Sequence, residues 1–244
     1  MLRRIALCAA LLGALAAAAP PEPPIAPFSG AAPGAQLPAG WKPLMLPDRK
    51  QTELMLVPDD GQVVLRAHAE SAVGTAGFAM HAGMGERPML TWRWKVDRVV
   101  AGADTNTKPG DDYAARVYVM FDVPADQLSL VDRAKMKIAK AIYGVDMPAA
   151  SICYVWDNRL PVGTSRWSPY SNRVRTIVLR SGDAEAGKWV SEARDIDADF
   201  RAAFGAGHPG PTPAVTGIAV GNDTDQTNET ATAWFGDFAW KARP

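Results

Sequence analysis

From Thr52 onward, apolar side chains recur at every second position in short runs, separated by clusters of Pro, Gly, Asp and Asn. A period of two belongs to a strand with one buried face, and frequent turn residues fold such strands back on one another. The clearest run is Leu90-Thr91-Trp92-Arg93-Trp94-Lys95-Val96, which sets Trp92, Trp94 and Val96 on one side and Arg93 and Lys95 on the other. Flat rings at that spacing serve either as a sugar platform or as core, and the inward alternation of sandwich strands favours core. Further runs span 52–57, 63–69, 73–80, 113–121, 152–156, 173–180, 189–196, 215–220 and 232–240. Pro58-Asp59-Asp60-Gly61 marks a turn in which Pro presets one dihedral and Gly accepts a positive one.

Two stretches break the alternation. Over 125–143 the residues Leu128, Val131, Ala134, Ile138 and Ile142 form one apolar stripe, with Lys135, Lys137 and Lys140 away from it, which predicts an inserted α-helix stopping at Gly144. A short helix near 197–204 is expected to open on Asp197 and end at Phe204-Gly205. No internal period marks a solenoid or propeller. The sum is an all-β, jelly-roll-like antiparallel β-sandwich with one inserted helix and one short helix, not parallel βαβ units.

Residues 1–19 read as a secretory signal: Arg3 and Arg4, an apolar run from Ile5 to Leu15, then alanines up to Pro20. That run is too short to span a membrane. Residues 20–40, rich in Pro, Ala and Gly, are expected to be a linker, and 41–241 a single domain. The protein is therefore expected in the periplasm or outside the cell. Losing the signal removes Cys8, so the exported chain keeps Cys153 alone and forms no internal disulfide. It also takes two arginines from 26 basic residues, leaving 24 against 26 acidic ones. So even a balance offers no electrostatic footprint for nucleic acid or anionic lipid.

Chemistry gathers in two polar segments. The first is Gly110-Asp111-Asp112 at the mouth of the 113–121 run, where Arg116, Tyr118 and Met120 share one face. Asp112 and Arg116 there either orient a hydroxyl-rich ligand or form an internal ion pair that holds the turn. The second is Asn222-Asp223-Thr224-Asp225-Gln226-Thr227-Asn228. Asp223 and Asp225 offer hard oxygen ligands suited to Ca²⁺, although the spacing is not that of an EF-hand; the competing reading is a solvated hairpin whose Asx side chains hold their own turns. There is no Gly-x-Ser-x-Gly elbow, phosphate loop or His-Glu-x-x-His helix, and His68, His81 and His208 stand far apart.

The order of motifs is itself informative. Leu90 to Val96, Gly110-Asp111-Asp112 with Arg116 and Tyr118, Tyr154-Val155-Trp156, the 189–195 run, and Asp223-Thr224-Asp225 with Thr227 together resemble a bacterial family of secreted proteins, domain of unknown function 3047. The resemblance covers roughly residues 41–240 and implies no particular activity. The expected architecture is also similar to that of many carbohydrate-binding modules, an analogy at the level of fold. The expectation is a non-catalytic module that engages a carbohydrate-like ligand, such as envelope glycan, through Asp112, Arg116, Tyr118, Trp156, Asp223 and Asp225. Two alternatives stand beside it. One is a hydrolase using a carboxylate pair across a cleft; the other is a structural envelope protein whose polar motifs are folding ion pairs. The first two require the Gly110 and Asn222 segments to converge.

Overall fold

A computed structural model describes residues 25–46, 48–124, 149–208 and 210–244, together with 128, 130, 133, 134, 136 and 137. The strands, in chain order, are β1 (Trp41–Leu44), β2 (Glu53–Asp59), β3 (Gln62–Glu70), β4 (Val73–Ala82), β5 (Met89–Val96), β6 (Tyr113–Phe121), β7 (Ala150–Asp157), β8 (Ser165–Ser168), β9 (Ser171–Ser181), β10 (Val190–Asp195), β11 (Val215–Asp223), β12 (Thr230–Phe235) and β13 (Ala239–Lys241). They form two sheets. One has seven strands in the order β1-β4-β11-β6-β7-β9-β8; the other runs β10-β5-β12-β3-β2, with β13 also pairing with β5. This is a β-sandwich of jelly-roll type. Among the described residues its strands pair antiparallel except β7 with β9. That exception arises because β8 takes the outer edge and β9 returns between it and β7.

The core is aromatic where the sheets face each other. Trp92 and Trp94 of β5 meet Tyr154 and Trp156 of β7, with ring centroids 5.5 Å (Trp92–Tyr154) and 5.9 Å (Trp94–Trp156) apart. All four are buried, so the Trp92–Trp94 pair is core rather than a platform. On β6, Val117, Val119 and Phe121 point into this core. Tyr118 packs instead against a small second cluster of Tyr113, Cys153, Val155 and Val178 on the outer side of the seven-stranded sheet.

Several expectations change. Residues 25–40 are not a linker. Ile25 and Phe28 are buried, Phe28 lies 4.7 Å from the Trp41 ring, and Gly34 exchanges backbone hydrogen bonds with Leu56. Sparse apolar residues among prolines hid this contribution to the core. The short helix, α1 (Ile196–Phe204), is capped by Asp195, which accepts from the Ala198 amide at 3.0 Å, and not by Asp197. The helix expected over 125–143 lies mostly outside the described residues; 130, 133, 134, 136 and 137 are helical. The signal segment 1–19 also lies outside them. No described helix is long and apolar enough to cross a membrane.

The 224–229 segment is not a hairpin. β11 belongs to the seven-stranded sheet and β12 to the other, so the chain arches across the sandwich rim. Buried Asn222 holds the arch, its Nδ2 donating to the carbonyls of Ala67 and Ala231 in the opposite sheet at 3.2 and 3.0 Å. Thr224, also buried, is pinned by its amide to the Ala72 carbonyl.

Candidate functional site

The arch lays Asp223 and Asp225 against the turn that opens β6. Between β11 and β6 the register shifts: Gly221 pairs with Arg116 but Asp223 with Tyr113, so three steps on β6 oppose two on β11. Such a bulge re-aims side chains. Here Tyr113 comes to the outer side, where the Arg116 guanidinium lies 4.5 Å above its ring. Gly110 makes the preceding turn close enough: a Cβ on it would lie 2.7 Å from the Asp104 amide nitrogen, which donates to the Gly110 carbonyl.

Arg116 is buried and ties the cluster together. Its Nε donates to Asp223 Oδ1 at 2.8 Å, Nη2 pairs with Asp223 Oδ2 and with the Asp111 carbonyl, and Nη1 donates to the Tyr118 hydroxyl at 3.0 Å. Asp223 Oδ1 also accepts the Tyr113 amide at 3.0 Å. The expected Asp112–Arg116 ion pair is not the arrangement adopted. Arg116 pairs with Asp223 and, more loosely at 3.7 Å, with Asp111. Asp112 is held from the arch, its Oδ2 accepting from the Gln226 amide, the Thr227 amide and the Thr227 hydroxyl at 3.0, 2.7 and 2.8 Å. Asp225 pairs with Arg49 at 3.0 Å.

The site has two layers. Asp112 is 0 % exposed, and Asp111, Arg116 and Asp223 are buried with it. Above them lies a rim that solvent reaches: Arg49, its side chain 55 % exposed, Lys108, and Gln226 beside Asp225. Tyr170, 55 % exposed in the β8–β9 turn, donates from its hydroxyl to the Lys108 carbonyl at 3.1 Å. Neither Tyr170 nor Arg49 stands out in the sequence. The signal for the first was an aromatic ring inside the turn Ser168-Pro169-Tyr170-Ser171, where no core pattern calls for one.

Burial and like charge set the electrostatics. Burial raises the Asp111 carboxyl above its ordinary range against the pull of Arg116, and raises Asp112 against the hydrogen bonds from Thr227. Burial pushes Asp223 up to about 7, with Arg116 opposing and the charges of Asp112 and Asp111 adding to the rise. Tyr170 is also raised, first by burial and then by the charges of Asp111 and Asp225. The nearby Cys153 thiol is buried and pushed up to about 12, which keeps it protonated and inert.

Of the residues selected from sequence, Asp112, Arg116, Tyr118, Asp223 and Asp225 are brought together. Trp156 is not among them. It stands on the core side of β7, its indole nitrogen donating to the Gly182 carbonyl at 3.0 Å, because even-numbered β7 residues face inward.

A family model described as protein of unknown function (DUF3047) matches residues 39–239. The chain belongs to this family. No curated protein matches it by sequence. Among solved structures, this DUF3047 chain is similar to endoglucanase 3 of family GH12 from Trichoderma harzianum, at 7 % identity and TM-score 0.45 over 93 % of this chain and 100 % of that one. It is also similar to the xyloglucanase domain of NopAA from Sinorhizobium fredii, solved with cellobiose, at 9 % identity and TM-score 0.45, covering 88 % and 100 %. A third is the family 30 carbohydrate-binding module of a Clostridium thermocellum cellulase, at 11 % and TM-score 0.36, covering 91 % and 94 %. At these identities the likeness is one of fold alone.

Proposed function

We propose that this chain is an exported, periplasmic or secreted, binding module for a carbohydrate-like ligand, such as envelope glycan. The ligand sits on the rim formed by Arg49, Asp225, Gln226 and Tyr170. The observation that carries this reading is a tyrosine more than half exposed beside charged hydrogen-bonding groups. An exposed ring stacks on the apolar face of a sugar, while guanidinium, carboxylate and amide groups bond to its hydroxyls. Asp112, Arg116 and Asp223 act from beneath, fixing the arch that presents the rim.

Binding is favoured over hydrolysis by the burial of the acids. Asp112 is 0 % exposed, Asp223 is buried with it, and the Asp225 side chain is 7 % exposed. Glycosidase carboxylates face each other across an open cleft with sugar between them. The test is calorimetric titration of the full chain against a panel of soluble oligosaccharides and polysaccharides, with a parallel assay for new reducing ends. Saturable binding without turnover is expected, weakened roughly tenfold or more by Tyr170→Ala or Arg49→Ala at unchanged melting temperature. Silence across the panel, or sugar release, overturns the reading.

A further inference from the structure

The buried layer, together with Asp225 where it meets the rim, has more negative charge than its partners balance. Asp111, Asp112, Asp223 and Asp225 face two guanidinium groups, Arg116 within the cluster and Arg49 at its edge. Burial makes that surplus costly, because a charge withdrawn from water needs a compensating partner.

A second observation is independent of the count. Asp112 Oδ1 and Asp111 Oδ1 are both shielded from solvent and accept no hydrogen bond. Asp112 is 0 % exposed and Asp111 7 %. Thr227 and Gln226 crowd three donors onto Asp112 Oδ2 and leave Oδ1 without one. An unsatisfied buried carboxylate oxygen is expensive, and it persists in a native protein where something else fills the position.

We propose that Asp112, Asp223 and Asp225 bind a hard divalent cation of the Ca²⁺ type, with Asp112 Oδ1 as one ligand. Each side chain offers one oxygen, and these three lie within 4.8 Å of one another. Ca²⁺ takes six to eight oxygens at about 2.3–2.6 Å in irregular geometry and reaches across such a span with little movement of the carboxylates. Mg²⁺ demands a near-ideal octahedron at about 2.0–2.1 Å, which three acids from a strand mouth and an arch do not supply. Two positive charges would neutralise the surplus. The ion would tie the β6 turn to the 224–229 arch and so hold the rim in place. The inference does not depend on the nature of the ligand above it.

The test uses the full chain, stripped with chelator and titrated at neutral pH. One-site Ca²⁺ binding and a raised melting temperature are expected, with Mg²⁺ roughly tenfold weaker or more. Asp225→Asn, whose side chain meets Arg49 at the edge, should weaken Ca²⁺ roughly tenfold or more while circular dichroism shows the fold intact. Terbium emission sensitised by Tyr113, Tyr118 and Tyr170, and displaced by Ca²⁺, reads the site in the unmutated chain and decides the matter even if the variant fails to fold. The proposal is overturned by no binding up to about 10 mM Ca²⁺, above the range of weak extracellular sites. Equal binding of Mg²⁺, a folded D225N with undiminished affinity, or absence of displaceable terbium emission would overturn it as well.

Discussion

Each sheet carries a charged patch on its outer side, and the two are built on opposite principles. On the six-stranded sheet, Lys95 donates to Asp59 at 2.5 Å, the Trp189 indole donates to the same carboxylate at 2.9 Å, and Arg93 pairs with Asp60 at 2.9 Å. The cations also lie over aromatic faces, Arg93 4.2 Å from Trp189 and Lys95 4.6 Å from Trp234. There each charge meets its opposite near water, and although burial pulls Asp59 upward, the Lys95 and Trp189 hydrogen bonds hold it below its ordinary value. On the seven-stranded sheet the acids outnumber the cations, lie deeper, and have raised affinities for protons. A balanced patch stabilises the surface it covers. An unbalanced, buried one is held in place by the surrounding fold and remains poised to take up positive charge.

The strongest way to break this contrast is to remove one cation from each patch. Arg116→Met should cost about 3–5 kcal/mol in urea unfolding, because it strands buried carboxylates. Lys95→Met, in the shallower patch, should cost about 1 kcal/mol or less. Equal losses would show that depth and imbalance do not distinguish the two.

Next is the sign of the pH dependence, read in chelator. Asp223 has a folded value of about 7 against 3.8 for the ordinary side chain, so between these the native state holds the extra proton. Its contribution is therefore greatest at the acid end of that window and is lost as pH rises toward 7. Asp59 is lowered, so its contribution is present above the ordinary value and lost as pH falls through the folded one. Asp223→Asn should flatten the decline toward neutral pH, and Asp59→Asn the loss in acid, in melting curves taken across the range.

Two smaller effects sharpen the contrast. Thr227→Val keeps the shape of the side chain and removes one of three donors to Asp112, which should cost about 1 kcal/mol. A double-mutant cycle of Lys95→Met with Trp234→Leu should return a coupling of about 0.5–1 kcal/mol, the value of a cation over a partly exposed ring. No coupling would reduce that stack to mere proximity.

Legibility followed the range of the signal. In β5, polar and apolar residues alternate strictly from Leu90 to Val96, and burial alternates with them, so the facing of Trp92 and Trp94 could be read locally. β7 is buried throughout, and between Ser151 and Asp157 at its ends no polar residue marks the outer face, so the inward turn of Trp156 was not read. The 222–228 stretch has the composition of a hairpin loop. Whether its flanking strands pair with each other or cross between sheets depends on Asn222 finding Ala67 and Ala231, which no local pattern encodes. Tyr170 and Arg49 went unweighted because an exposed residue obeys no periodicity.

By itself the sequence determined most of the strands, though not β1 or β8, the sandwich they make, and the two acidic segments, since these rest on period, turn chemistry and side-chain type within a few neighbouring residues. Only the tertiary structure decided which side chains share a space, how deep each lies, and that Arg116 answers Asp223 while Asp112 is left to Thr227. Charge balance is a sum over segments about a hundred residues apart, and its cost depends on burial, a property that no single stretch of chain possesses.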